Sequence, residues 1–198
     1  MMKRLFDVVT SLMALVVLAP LLLALAMGVA LSSPGGAFFG QVRVGRFGRH
    51  FRLLKFRSMR PGSEAAGQIT VGGRDPRITG IGYFLRRTKL DELPQLWNVL
   101  VGDMSVVGPR PEVPRYVALY DADQRRVLDV RPGITSLASL EYISENELLG
   151  RSSDPERTYM EEVMPAKLAL DLRYVASASL ITDLRIIART VGKLLRSH

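Results

Sequence analysis

The chain of 198 residues contains no cysteine, only two histidines (His50 and His198) and a single tryptophan. The lack of cysteine excludes disulfides and thiolate-bound metal centres. Two histidines so far apart in the chain are too few for a histidine metal site. Cysteine chemistry and histidine-rich metal sites are therefore excluded as the basis of a function.

Acidic residues are almost missing from the first 60 positions, where nine Lys and Arg face one acid, Asp7. The remaining 18 basic and 18 acidic residues cancel, so the net charge of +8 belongs to the N-terminal part. Such a distribution is typical of a polypeptide on an anionic membrane surface. The alternative is a non-catalytic basic membrane anchor or a nucleic-acid-binding protein. Because residues 61–198 are neutral overall, we expect no nucleic-acid partner.

A long apolar segment, residues 5–31, has Asp7 as its one charged residue. A straight helix of that length would extend about 40 Å, which exceeds the ~30 Å hydrocarbon core of a bilayer. It is too uniformly apolar for a core helix, and the apolar run continues beyond the signal-peptide-like motif at residues 24–26. A spanning helix and a re-entrant helix are the two remaining interpretations.

Two features favour re-entry. Pro20 lies near the middle of the segment, where its missing N–H and its ring are expected to break the helix. Lys3 and Arg4 precede the segment and four arginines follow within residues 43–52, so the positive-inside bias holds both ends in the cytoplasm. We therefore predict a proline-broken re-entrant membrane helix over residues 1–34.

Residues 35–198 are expected to form one catalytic domain of the α+β class, mainly helical. Alternating apolar residues around a glycine-bounded turn predict a small β-hairpin over residues 38–56. Residues 180–196 predict an amphipathic helix suited to a membrane interface, although an ordinary surface helix has the same pattern. Its apolar face consists of Leu180, Leu184, Ile187, Val191 and Leu194 and its basic face of Arg185, Arg189, Lys193 and Arg196.

The most distinctive part of the chain is a polar run that reads RRTKLDELPQ at residues 86–95 and GDMSVVGPRP at residues 102–111. Its adjacent Asp91 and Glu92, with arginines on both sides, suit a metal ion and a phosphate. Taken alone, such a pair also marks a solvated helix start. Pro94 is best tolerated in a first helical turn, so a helix is predicted to start close to Asp91, where its dipole would keep a carboxylate ionised.

An ionised aspartate can attack phosphorus and form an acyl phosphate that a second nucleophile discharges. The charge of a diphosphate is usually neutralised by Mg²⁺ on carboxylates and by arginine forks. Arg86, Arg110 and Arg131 are candidates for phosphate binding because each has a conformationally stiff sequence context. Surface ion pairs are the alternative role for all three.

Four motifs in this order resemble the signature of the bacterial sugar transferases, the small monotopic phosphoglycosyl transferases. The resemblance covers nearly the whole chain, including a membrane helix broken at a proline. The motifs are KFRSM at residues 55–59, LDELPQ at 90–95, GDMSVVGPRP at 102–111 and VRPGIT at 130–135.

The resemblance implies transfer of a sugar 1-phosphate from a UDP-sugar to undecaprenyl (polyprenol) phosphate at the cytoplasmic face of the bacterial inner membrane. Asp91 would be the nucleophile that forms a covalent sugar-phosphate intermediate and releases UMP, and Asp91 and Glu92 would bind Mg²⁺. Lys55, Arg86 and Arg110 would hold phosphates or the Asp-Glu pair. Membrane lipid is the further partner implied.

Three further expectations follow from this resemblance. The stretch SLASLEY at residues 136–142 replaces a Gly-Trp-rich run of many small members, so the sugar is not predictable if this stretch meets it. Asp183 is the lone acid of the basic late helix, and we expect it to pair with Lys3 or Arg4 of the membrane segment. Extra spanning helices and an N-terminal domain, present in larger members, are not expected in this chain.

Overall fold

A computed structural model describes residues 2–63, 67, 69–72 and 75–196, with side chains to Lys193. The fold is mainly helical and carries two two-stranded sheets. The helices are α1 (Met2–Val17), α2 (Ala19–Ser32), α3 (Gly80–Arg87), α4 (Gln95–Val101), α5 (Pro114–Val117), α6 (Leu137–Glu141), α7 (Glu145–Gly150), α8 (Pro155–Thr158), α9 (Met164–Ser177) and α10 (Leu180–Arg196). The strands are β1 (Phe38–Val44), β2 (His50–Phe56), β3 (Ser105–Val107) and β4 (Gly133–Thr135).

The predicted hairpin is confirmed. Strands β1 and β2 pair antiparallel from Phe38 opposite Phe56 to Val44 opposite His50, and a 3₁₀ turn joins them. Asn98 of α4 fixes this hairpin to the helix, because its side-chain amide accepts from Leu54 N–H at 3.0 Å and donates to a β2 carbonyl at 2.8 Å. Asn98 therefore holds the hairpin against α4, the helix that follows Asp91 and Glu92 in the chain.

The N-terminal apolar segment forms two helices, α1 and α2, which meet at Leu18 with a bend of 66°. Pro20 lies in the first turn of α2, where its missing N–H is tolerated and its ring prevents α1 from continuing. Within the described residues, no helix taken singly has the length and hydropathy to cross a membrane. This bent pair passes that test as a unit, on length and composition alone.

Helix α1 is anchored to the rest of the chain by its few polar side chains. Lys3 Nζ lies 2.5 Å from Asp183 Oδ2, which confirms the expected pairing, and also donates to the Val107 carbonyl at 3.0 Å. Asp183 is fully buried and accepts a second hydrogen bond from the Tyr174 hydroxyl at 2.7 Å. The charged pair therefore joins α1, β3, α9 and α10.

The other two charged residues of α1 are docked as well. Arg4 donates to the carbonyls of Val99 and Leu100 at the end of α4, at 2.6 and 2.8 Å. Asp7 is buried and accepts from the hydroxyl of Ser105 and the N–H of Val106, each at 3.0 Å. Cations suit the carbonyls at a helix C-terminus, so α1 is seated on the C-terminal end of α4 by charge as well as by packing.

Replacing Asp183 by alanine is expected to lower the free energy of unfolding by about 2–3 kcal/mol. The change leaves Lys3 and the Tyr174 hydroxyl without their buried partner, and removal of one member of a buried pair is costly. Chemical denaturation of the detergent-purified chain measures this. The control is Asp123→Ala, which removes an exposed carboxylate. Equal stability of the two variants would contradict a structural role for the pair.

The late helix α10 begins and ends at the predicted residues. It packs inward through Asp183 and Ile186, whereas Ile181, Leu184 and Val191 are exposed. Of the predicted apolar stripe, Ile187 packs against the core. The side chains of Leu194 and Arg196 lie outside the described part of the chain. An exposed apolar stripe beside basic side chains is the pattern of a helix at a lipid–water interface.

Candidate active site

Asp91 and Glu92 lie in a 3₁₀ turn, Leu90–Glu92, between α3 and α4. Helix α4 begins at Gln95, with Pro94 in the preceding position, so it starts later than predicted. The chain closes the turn with a hydrogen bond from Leu93 N–H to the Leu90 carbonyl before α4 can start. The dipole of a seven-residue helix that begins after Asp91 has little effect on Asp91 and Glu92. The ionisation of these two carboxylates depends on neighbouring cations instead.

Asp91 is buried, with 3% of the residue exposed to solvent. Its Oδ1 atom is buried without a hydrogen-bond partner among the described residues. Burial raises the pKa of Asp91 above its ordinary value, Lys55 opposes this, and the neighbouring charge of Glu92 adds to it. A buried carboxylate with a free oxygen retains a position for an electrophile or a cation.

Glu92 is held by two cations. Lys55 Nζ lies 3.0 Å from its Oε1, and Arg110 contacts both oxygens, with Nη2 2.5 Å from Oε1 and Nη1 3.4 Å from Oε2. Burial alone would raise the pKa of Glu92, but Arg110 and Lys55 hold that pKa well below the ordinary value. Glu92 is therefore held in its ionised form and in a fixed position, whereas the pKa of Asp91 is shifted in the opposite direction.

The same contacts act on the cations. The charge of Glu92 raises the pKa of Arg110 further above its already high ordinary value. Burial lowers the pKa of Lys55, and Glu92 partly compensates. The structure thus brings Lys55, Arg110 and the Asp-Glu pair into one electrostatic cluster, although the three segments are distant in sequence.

This cluster forms part of the wall of a cavity of about 870 Å³, a size within the usual range of ligand pockets. Arg86 also lines the cavity and donates to the Thr70 hydroxyl at 2.8 Å. Arg131 does not join them. Its Nε donates to the Gly102 carbonyl at 2.8 Å, close to where Arg4 docks, so it braces the turn after α4. Arg131 is not one of the described residues that line the cavity.

The cavity wall also carries polar residues that the sequence motifs did not indicate. Glu112 pairs with Arg43 at 2.9 Å and accepts a short hydrogen bond from the Tyr159 hydroxyl. Lys167 pairs with Glu145 at 2.6 Å. Of these residues, only Glu112 lies next to a sequence motif, because it directly follows GPRP. Arg43 lies on β1, and Glu145, Tyr159 and Lys167 lie in helical segments whose periodicity indicates packing alone.

The stretch at residues 136–142 borders the same cavity through Ser139 and Tyr142. Its helix, α6, is joined to α10 by a hydrogen bond from Lys193 Nζ to the Leu140 carbonyl and by an ion pair of Arg189 with Glu141 at 2.9 Å. The divergent stretch at residues 136–142 therefore lines the same cavity as Asp91.

The residues suit a magnesium ion of the substrate-bridged kind. Mg²⁺ in such sites is bound by one or two carboxylates together with substrate phosphates and water. Asp91 Oδ1 is a buried acceptor without a partner, whereas both Glu92 oxygens already contact cations. No group of three or more acidic or histidine side chains able to hold a metal occurs in the described part of the chain. Asp91 is accordingly the better placed of the two predicted ligands.

Comparison with known proteins decides the family. The family model described as "Bacterial sugar transferase" matches residues 1–197. The chain belongs to this family. It is 43% identical over 199 residues to the exopolysaccharide production protein PSS of Rhizobium leguminosarum bv. phaseoli, covering 96% of this chain and 93% of that protein.

Two larger relatives are UDP-glucose:undecaprenyl-phosphate glucose-1-phosphate transferases. The Xanthomonas campestris pv. campestris protein is 41% identical over 98% of this chain, which spans 38% of that protein. The Caulobacter vibrioides protein is 38% identical over 98% of this chain and 69% of its own length. The chain is thus an enzyme, a phosphoglycosyl transferase, and the alternative of a non-catalytic basic anchor is wrong.

Proposed function

We propose that this bacterial sugar transferase moves a sugar 1-phosphate from a UDP-sugar to undecaprenyl phosphate and releases UMP, which initiates assembly of an exopolysaccharide or a related glycoconjugate. The observation that supports this best is the buried Asp91 carboxylate, with one free oxygen, in the wall of a cavity lined by cations. A diphosphate donor needs both features, a nucleophile and neutralising charge.

The proposed reaction has two displacements at one phosphorus atom. The Asp91 carboxylate oxygen attacks the β-phosphorus of the donor, the bond from that phosphorus to the bridging oxygen breaks, and UMP leaves with that oxygen. A phosphate oxygen of the lipid acceptor then attacks the same phosphorus and displaces the carboxylate, giving a polyprenyl diphosphate sugar. Covalent capture of this kind predicts ping-pong kinetics.

The surrounding residues have separate roles in this proposal. Burial raises the pKa of Asp91, and a more basic carboxylate is a stronger nucleophile once ionised. Glu92 keeps Lys55 and Arg110 beside the reacting phosphate, and Arg86 adds a third cation from α3. Asp91 and Glu92 are the residues that would hold Mg²⁺, which would supply further charge neutralisation for the diphosphate.

The decisive experiment mixes the purified chain with a panel of UDP-sugars and Mg²⁺ and measures UMP. A panel is needed because Ser139 and Tyr142 face the site from the divergent stretch. Without polyprenol phosphate, the correct donor is expected to give up to one equivalent of UMP per enzyme, and intact mass should increase by one sugar phosphate. Turnover that requires both substrates together, with no adduct, would contradict the covalent mechanism.

We also propose that the bent pair α1–α2 enters and leaves the inner membrane by its cytoplasmic face. The bend at Leu18 and the basic residues on both flanks support this. The exposed apolar residues of α10 would then lie at the same lipid–water interface. The active site would face the headgroup region, which the lipid acceptor also reaches.

Single cysteines placed at Met2 and Arg46 are expected to react with a membrane-impermeant maleimide from the same side of sealed vesicles. The natural chain has no cysteine, so no background labelling arises. Opening the vesicles with detergent provides the control for full reactivity. Labelling from opposite sides would show that the segment spans the membrane.

A further inference from the structure

One residue beside the site has a backbone conformation that its side-chain type does not favour. Lys89 has φ 58° and ψ 13°, in the left-handed region where a side chain is strained. Among the described residues, Phe47 in the hairpin turn is the only other non-glycine residue with positive φ. Unusual backbone conformations of this kind cluster at functional sites.

The local structure explains why the position must be left-handed. Helix α3 ends at Arg87, the N–H of Lys89 bonds to the Arg86 carbonyl at 3.3 Å, and the N–H of Glu92 bonds to the Lys89 carbonyl at 3.2 Å. Lys89 is thus the residue at which the chain reverses between α3 and the Asp91 turn. Glycine or asparagine is the usual choice at such a helix terminus.

The conformation of the turn therefore does not account for a lysine at position 89. A role of the side chain would account for it. Lys89 lines the cavity with Arg86, Asp91 and Glu92 and is exposed, which places it at the cavity's opening. Within the described residues its ammonium group makes no ion pair or hydrogen bond, whereas Lys55 and Arg110 both contact Glu92. The positive charge of Lys89 acts on both carboxylates: it opposes the rise that burial causes in the pKa of Asp91, and it adds to the lowering of the pKa of Glu92 by Arg110 and Lys55.

We infer that Lys89 is a further substrate-binding residue, whose ammonium group contacts a phosphoryl group that enters the cavity beside Asp91. The inference rests on the proposed function for the identity of that group. It is either a phosphate of the UDP-sugar or the phosphate of the lipid acceptor. Lys55 and Arg110 are already engaged with Glu92, whereas the ammonium group of Lys89, unpaired among the described residues, can contact an incoming anion directly.

Lys89→Gly separates the side chain from the turn, because glycine adopts this backbone conformation without strain. We expect the melting temperature of the variant to equal or exceed that of the wild type. We also expect a loss of about tenfold or more in one half-reaction, the effect of removing one charge-assisted contact. A slower UMP release without polyprenol phosphate assigns the contact to the donor, and a slower discharge of the adduct assigns it to the acceptor.

Three other variants make the comparison specific. Lys89→Arg is expected to restore most of the lost rate by retaining the charge. Phe47→Gly relieves the same kind of strain away from the cavity, and Arg87→Gln removes an exposed charge two residues away that is not part of the described cavity wall. Both are expected to keep wild-type rates in each half-reaction.

Calorimetric binding of pyrophosphate is measured in parallel and requires no turnover. About tenfold weaker binding by Lys89→Gly supports the inference even if no UDP-sugar releases UMP, a result that would contradict the proposed function alone. The inference is overturned if Lys89→Gly matches the wild type in both half-reactions and in pyrophosphate affinity. The inference is also overturned if Lys89→Gly and Lys89→Arg both lower the melting temperature markedly, because lysine would then be required for the turn itself.

Discussion

Replacing Asp91 by asparagine is expected to abolish sugar-phosphate transfer, with a fall in rate of at least about 10⁴-fold. The amide cannot form the acyl phosphate, although it has nearly the same size and fits the same buried position. Both the UMP released without lipid acceptor and the mass increase of one sugar phosphate should disappear. Single-turnover UMP assays and intact-mass measurement on the detergent-purified variant check this.

The exposed Asp129→Asn serves as the matched control, since it makes the same chemical change outside the cavity wall described here and should leave the adduct intact. Glu92→Gln is expected to slow adduct formation without preventing it, because Asp91 remains. If Asp91→Asn still yields the adduct, another residue is the nucleophile. If wild-type kinetics require a ternary complex, Asp91 acts as a base or a metal ligand.

Glu92→Gln is expected to lower the melting temperature, whereas Asp91→Asn is expected to raise it at pH 7. Loss of the Glu92 charge leaves Lys55 and Arg110 together without their counter-ion in a partly buried site, at a cost of about 3 kcal/mol. For a chain of this length that corresponds to a fall of roughly 6–12 °C. Thermal unfolding in detergent measures both variants.

The pH dependence of the Asp91 effect has a definite sign. Its folded pKa is raised, so the folded state binds the proton more tightly than the unfolded state does. The stability linked to that proton is fully present below the unfolded pKa of about 3.9 and is lost as pH rises through the folded pKa. The gain in melting temperature of Asp91→Asn over the wild type should therefore shrink towards pH 4.

Glu147→Gln, an exposed equivalent of the Glu92 change, should leave the melting temperature unaltered. Equal shifts for Asp91→Asn and Glu92→Gln would contradict this division of roles.

Local features of this chain were predictable because each depends on residues close in sequence. Period-two alternation and a glycine-bounded turn predicted the hairpin β1–β2, and Pro20 predicted the break in the N-terminal helix. The amphipathic period of α10 predicted its bounds. The pairing of Lys3 with Asp183 was reached through the family resemblance and the isolation of that acid among basic residues.

The sequence by itself determined the family, the hairpin beside the site and the two adjacent carboxylates. Tertiary structure alone decided how those carboxylates differ, because burial and the distances to Lys55 and Arg110 depend on three segments far apart in the chain. It also placed Arg131 against the Gly102 turn and Glu112 with Tyr159 on the cavity wall. Motifs report residue types at short spacing, whereas pKa values and ion pairs depend on separations of a few ångströms that only the folded chain defines.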